Sequence, residues 1–87
     1  MNFLHKREHL DNGDVAVVNC DHQCNVLLMD DSEFSSFKSG RSHRYFGGFF
    51  KRLPAKIAAP TSGFWNVVVH AGGSPTTIRA SIGFVKS

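Results

Sequence analysis

The sequence predicts an all-β fold: an antiparallel β-sandwich of about seven short strands, with one short helix inserted between strands. Three observations carry this reading. Short runs rich in β-branched and aromatic residues recur along the whole chain. Turns marked by glycine and proline separate them, drawing on eight glycines and three prolines in 87 residues. The closing stretch, Thr76 to Val85, alternates with period two, setting Ile78, Ala80, Ile82 and Phe84 inward and Thr77, Arg79 and Ser81 outward. A chain of this length makes one domain, residues 1–87, that buries only about 60–65% of its unfolded surface.

Asn2 to His5 reads as a first strand anchored by Phe3, and Leu10 to Asp14 as a turn around Asn12-Gly13. Val15 to Cys20 is a strand by its β-propensity, with Val26 to Met29 expected as its neighbour. Between them lies CDHQC, read as a hairpin loop whose cysteines end one strand and open the next.

The one helix spans Asp31 to Ser39. Asp30 is the cap, and Glu33 three residues on is placed to reach back to it as a capping box. Met29 and Phe34 form a hydrophobic staple across the cap. Phe34 and Phe37 share a face, Lys38 opposes the negative end of the dipole, and Gly40 closes the helix. So short a helix is not stable alone, and Phe34 and Phe37 must dock it on a core, expected at one end of the sandwich.

After the helix, basic and aromatic residues interleave. Gly47-Gly48 between two aromatic pairs predicts a tight hairpin turn. Pro54 and Pro60 bracket Ala55 to Ala59, which predicts a short edge strand with Ile57 turned inward. Thr61-Ser62-Gly63 is a turn. Phe64 to His70 is the strongest strand and is expected to be central, with Trp65, Val67 and Val69 on one face. Ala71 to Pro75 is a turn or loop. There is no internal repeat, linker or low-complexity segment.

The net charge of +3 conceals an asymmetry. Residues 1–37 hold all seven acids against Lys6 and Arg7, a net of −5, while residues 38–87 hold eight bases and no acid. Such a split creates opposed faces if the halves fold apart, favouring anionic partners or self-association, and mixes the charges if they interleave. No apolar run is long enough to span a membrane, and the N-terminus lacks the apolar core of a signal peptide, so a cytoplasmic location is expected.

Catalytic signatures are absent: there is no HExxH, no phosphate-cradling GKS or GKT loop and no GxSxG. His5, His9, His22, His43 and His70 are scattered, and Asp30-Asp31 is explained by capping. The expectation is a non-enzymatic protein without a cofactor. Cys20 and Cys24 with His22 suggest a metal site, but a tetrahedral centre needs more ligands than this loop supplies, so no metal is expected. A disulfide across the loop is the remaining alternative.

Several pieces of the chain resemble a small bacterial family of unknown function whose members occur alone and appended to TIR domains. They are His9-Leu10, Gly13-Asp14-Val15, Leu28-Met29-Asp30, Phe34, Gly40, His43, Tyr45 and Gly47-Gly48. Ser62-Gly63, Trp65-x-Val67-x-Val69, Gly72-Gly73 and Arg79-Ala80-Ser81 continue the match in order. The resemblance implies a small β-rich domain in a bacterial, cytoplasmic protein and implies no activity. The family tends to carry an acidic residue where this chain has His70.

The function expected is an interaction or ligand-binding module, with a protein partner or self-association favoured and no membrane. Its contact surface is the basic and aromatic segment, through Lys38, Arg41, His43, Arg44, Tyr45, Lys51 and Arg52, with Arg79 as an outlier. The alternative is single-stranded nucleic acid bound along Lys38 to Arg52, with cations on phosphates and an exposed ring stacked on a base.

Overall fold

A computed structural model of the chain describes residues 3–71 and 79–86. Among them the elements run β1 (Leu4–Leu10), β2 (Val15–Cys20), β3 (Cys24–Asp30), α1 (Asp31–Lys38), β4 (Phe46–Phe50), β5 (Ala55–Ala58), β6 (Gly63–His70) and β7 (Ala80–Val85). Two antiparallel sheets result, one ordered β1-β6-β3-β4 and the other β5-β2-β7. This is the all-β sandwich the turn spacing predicts, with the helix inserted between β3 and β4. Only β3 and β4, joined through α1, are both consecutive in sequence and hydrogen-bonded neighbours. Every other connection passes from one sheet to the other.

That topology corrects two expectations. Val26 to Met29 does not pair with Val15 to Cys20: β2 lies between β5 and β7, and β3 belongs to the opposite sheet. CDHQC is therefore a crossover rather than a hairpin loop, although its cysteines do end β2 and open β3. The reason is burial, because Val18 of β2 and Val26 and Leu28 of β3 fill one core from opposite sides. The first strand is also longer than Asn2 to His5, running to Leu10 and matching β6 from Leu4↔Val69 to Leu10↔Gly63. Its charged run Lys6-Arg7-Glu8 hides it from a hydrophobic pattern, yet an edge strand tolerates such residues.

The inner faces pack Val18, Val26, Leu28, Ile57, Trp65, Val67 and Val69 into the main core. β6 is central, as predicted, with Trp65, Val67 and Val69 turned toward the other sheet. Its alternate residues, Asn66 and Val68, are also fully buried, because α1 covers the outer face of the larger sheet. Leu27, Met29, Phe34 and Val68 form this second cluster, flanked by Phe3 and Phe37. The helix thus adds a third layer instead of capping an end. β5 is the short edge strand with Ile57 inward, and β7 sets Ala80, Ile82 and Phe84 against the core. The loop predicted at residues 71–75 and the strand start at Thr76 to Ile78 fall largely outside the described residues.

Gly47-Gly48 is not a turn. Both glycines lie inside β4, opposite Leu27 and Val26. A Cβ at Gly47 would sit 2.3 Å from the Val26 carbonyl oxygen and 2.7 Å from Ile57 Cδ1, with φ at +107°. Glycine is demanded there by close approach, not by chain reversal.

The acidic and basic halves interleave. Lys86 lies 3.7 Å from Glu8 and 3.9 Å from buried Asp14, and the backbone N–H of Arg79 donates to Asp21 at 3.1 Å.

Candidate functional site

The site is built on the two ends of α1 and the segment that doubles back beside it. The Asp30 carboxylate caps the helix by accepting the Glu33 N–H at 2.8 Å. Glu33 does not complete the expected box. Its carboxylate instead accepts the Arg44 N–H at 2.7 Å. This bond ties residues 41–45 to the first turn of the helix.

At the other end Gly40 takes φ +73°. Its N–H donates to Phe37 at 3.2 Å, and the Arg41 N–H donates to Ser36 at 2.9 Å. This paired closure reverses the chain. Residues 41–45 then run back along the helix, and the His43 ring fits between Phe37 at 5.1 Å and Tyr45 at 5.8 Å. His43 Nδ1 lies 3.0 Å from the Arg41 carbonyl oxygen.

Between the returning segment and the sheet opens a cleft of about 560 Å³. Asp30 and Glu33 line it together with His43, Arg44 and Tyr45. Leu28 and Met29 line it as well, together with Phe46 and Trp65, whose rings meet edge to face at 6.0 Å. Acid, base and aromatic surface thus face one space, which suits recognition of a mixed polar and apolar ligand.

The structure divides the sequence-predicted contact residues. His43, Arg44 and Tyr45 line the cleft. Lys38 and Arg41 sit at the far end of the helix, with Lys38 Nζ 4.7 Å from the Phe34 ring centroid. Lys51 and Arg52 follow the other end of β4, about 13 Å away at strand spacing. Arg79 precedes β7 in the opposite sheet. Asp30 and Glu33, which the sequence assigned to the helix cap, Trp65, which it assigned to the core, and Phe46, an aromatic of the expected hairpin, are also cleft residues. Trp65 joins them through β6 pairing with β3 and Phe46 through β4 pairing with β3, and the sequence carries no direct signal for either pairing.

Of the aromatics between residues 45 and 50, Tyr45 is 48% exposed, Phe46 49% and Phe49 56%, whereas Phe50 packs on the main core. Burial, and secondarily nearby His43, lowers the pKa of His70. Cys20 and Cys24 are free thiols. Burial, then the hydrogen bond with Cys20, pushes Cys24 up to about 12. Among the described residues no three His, Cys, Asp or Glu side chains gather where they could hold a metal ion. No described helix is long and apolar enough to cross a membrane.

The chain matches a family profile described as "Domain of unknown function (DUF1883)" over residues 1–87. It belongs to the DUF1883 family. No curated protein and no solved structure matches it. The β-rich domain that the resemblance implied is the architecture of this DUF1883 chain. Within it, Gly40 closes the helix, Gly47 admits Val26 and Ile57, and Trp65 borders the cleft.

Proposed function

We propose that this DUF1883 domain is a non-enzymatic interaction module, working in the bacterial cytoplasm alone or beside a TIR domain as the resemblance implies. Its contact surface is the cleft and the adjoining face of β4. The observation that carries the reading is that three rings, Tyr45, Phe46 and Phe49, are exposed in the same short segment as the exposed cations Arg44, Lys51 and Arg52. Exposed aromatics beside arginine are the residue types that anchor protein interfaces. A protein partner is the favoured ligand.

Single-stranded nucleic acid is the second reading, favoured by the same exposed rings, which offer stacking faces next to cations. Amide chemical-shift mapping separates the two. The probes are polyglutamate and a labelled single-stranded oligonucleotide, each at two salt concentrations. Shifts confined to residues 38–52 with polyglutamate support a protein partner. Steeply salt-dependent oligonucleotide binding, lost in an Arg41→Ala, Arg44→Ala, Lys51→Ala, Arg52→Ala variant, would favour nucleic acid. Silence of this segment toward both probes would overturn both readings.

A further inference from the structure

Resting on the interaction reading above, we propose that the outer edge of β4 takes up an extended acidic segment of a partner protein, which adds to the larger sheet as a fifth strand. β4 ends that sheet and pairs only with β3 among the described residues. None of its backbone groups bonds outside that ladder there. An open edge is a template for another strand unless it is blunted by charge, proline or shortness.

The other edges differ from it. β1 carries Lys6, Arg7 and Glu8 along its length. β5 has four residues and lies between Pro54 and Pro60. β7 turns its one aromatic, Phe84, against the core. β4 reads Phe-Gly-Gly-Phe-Phe, without a charge, and leaves Phe46 and Phe49 about half exposed. A Cβ at Gly48 would meet nothing within 4 Å, so no neighbouring side chain or backbone covers the face of the strand at that point. Strand addition needs such bare backbone for hydrogen bonds and flanking side chains for specificity.

Charge decides the occupant. Arg44 precedes the strand, and Lys51 and Arg52 follow it. If a second copy paired here antiparallel with full overlap, Arg44 would face Arg52 of that copy. Slipped by one residue, it would face Lys51 instead. Like charges directly opposite are destabilising, so the edge disfavours itself. An incoming strand with acidic residues at both ends and β-branched residues between them meets a cation at each end. It also lays its centre beside Phe46 and Phe49.

The test is a titration of the whole domain, followed by amide chemical shifts and amide exchange. The probe is an end-blocked peptide with two glutamates at each end of an alternating valine and threonine core. The expected result is binding that perturbs residues 46–50 and slows their exchange. It should weaken at least about tenfold when every central peptide nitrogen is methylated, since each lost ladder bond removes a net contribution. It should weaken likewise with lysines in place of the glutamates, and in an Arg44→Glu, Lys51→Glu, Arg52→Glu variant whose unbound spectrum remains folded.

Equal binding by the methylated peptide, with shifts at Glu33, His43 and Trp65, would overturn strand addition and leave the interaction reading standing on the cleft. A wild-type dimer that buries β4, or oligonucleotide binding at β4 in place of peptide binding, would also overturn it. No perturbation anywhere in residues 38–52 would overturn both this inference and the reading it rests on.

Discussion

Asn66, fully buried on the central strand β6, donates a 2.8 Å hydrogen bond to the Asp31 carboxylate at the start of α1. It also donates to the Met29 carbonyl at 3.3 Å, and its carbonyl oxygen lies 2.8 Å from His5 Nε2. Arg7 grips the same Asp31 through two bonds, at 3.0 and 2.7 Å. One buried amide therefore joins β1, the end of β3 and the helix that borders the cleft. Replacing it with alanine strips partners from groups that burial has taken from water. Asn66→Ala should lower stability by about 2 kcal/mol, read from urea denaturation.

The same contact sets an acid limit. The Arg7 bond, then the Asn66 bond, holds Asp31 at about 2, below its ordinary 3.8. A carboxyl depressed on folding stabilises the native state above its unfolded pKa, and that contribution fades as pH falls through the folded one. Stability should thus decline between about pH 4 and pH 2. Asp31→Asn should flatten that limb of the stability profile. Because Asp31 is half exposed, solvent screening keeps the loss modest. A profile unchanged by the substitution would remove Asp31 as its source.

The glycines of β4 should behave unequally. Gly47→Ala forces a Cβ onto the Val26 oxygen and Ile57 Cδ1 at an unfavourable φ, and should cost about 3 kcal/mol. Gly48→Ala meets no neighbour and should cost about 1 kcal/mol for its backbone alone. Adding Ile57→Val to Gly47→Ala should recover little, because the nearer obstacle is backbone. Thermal denaturation of the three variants checks the order.

Strand positions were legible where β-branched residues formed clean runs, as in β2 and β6, and the helix was legible from Asp30, Lys38 and Gly40. Pairing was not legible. Val18 and Val26 look like hairpin neighbours in sequence, and only their shared core shows why they belong to opposite sheets. Gly47-Gly48 has the residues of a turn, and a steric demand from Ile57 is invisible until β5 is placed. The candidate site was half legible for the same reason. The basic and aromatic types stand out, but Arg44 and Lys51 are held apart by the length of β4, and Glu33 enters only when its carboxylate turns from the cap to Arg44.

Thiol labelling should follow burial. Cys24 is wholly buried, and with its pKa near 12 it stays protonated at pH 8. Thiolate is the reactive form, so iodoacetamide at that pH should leave Cys24 unmodified in the folded protein. Denatured protein should take two labels, one for each cysteine. Peptide mass mapping reads both results, and rapid folded-state labelling of Cys24 would contradict its placement.

Trp65 is the only tryptophan, which makes it a reporter for the cleft. Its indole N–H donates to the Thr61 carbonyl at 2.9 Å, and its buried ring borders the cleft with one side against Phe46. Removing it should cost about 3–5 kcal/mol, so Trp65→Ala would confuse unfolding with lost binding. The wild-type ring serves better. A ligand that enters the cleft displaces water beside Trp65 and should shift its emission, and Phe46→Ala should change the unbound spectrum by exposing that edge. A ligand held only at Lys51 and Arg52, at the opposite end of β4, should leave the emission unchanged. Titration with polyglutamate, followed by fluorescence and by amide shifts on one sample, distinguishes the two positions. Amide shifts at His43 and Arg44 without any change in Trp65 emission would show that the cleft itself is not the place of contact.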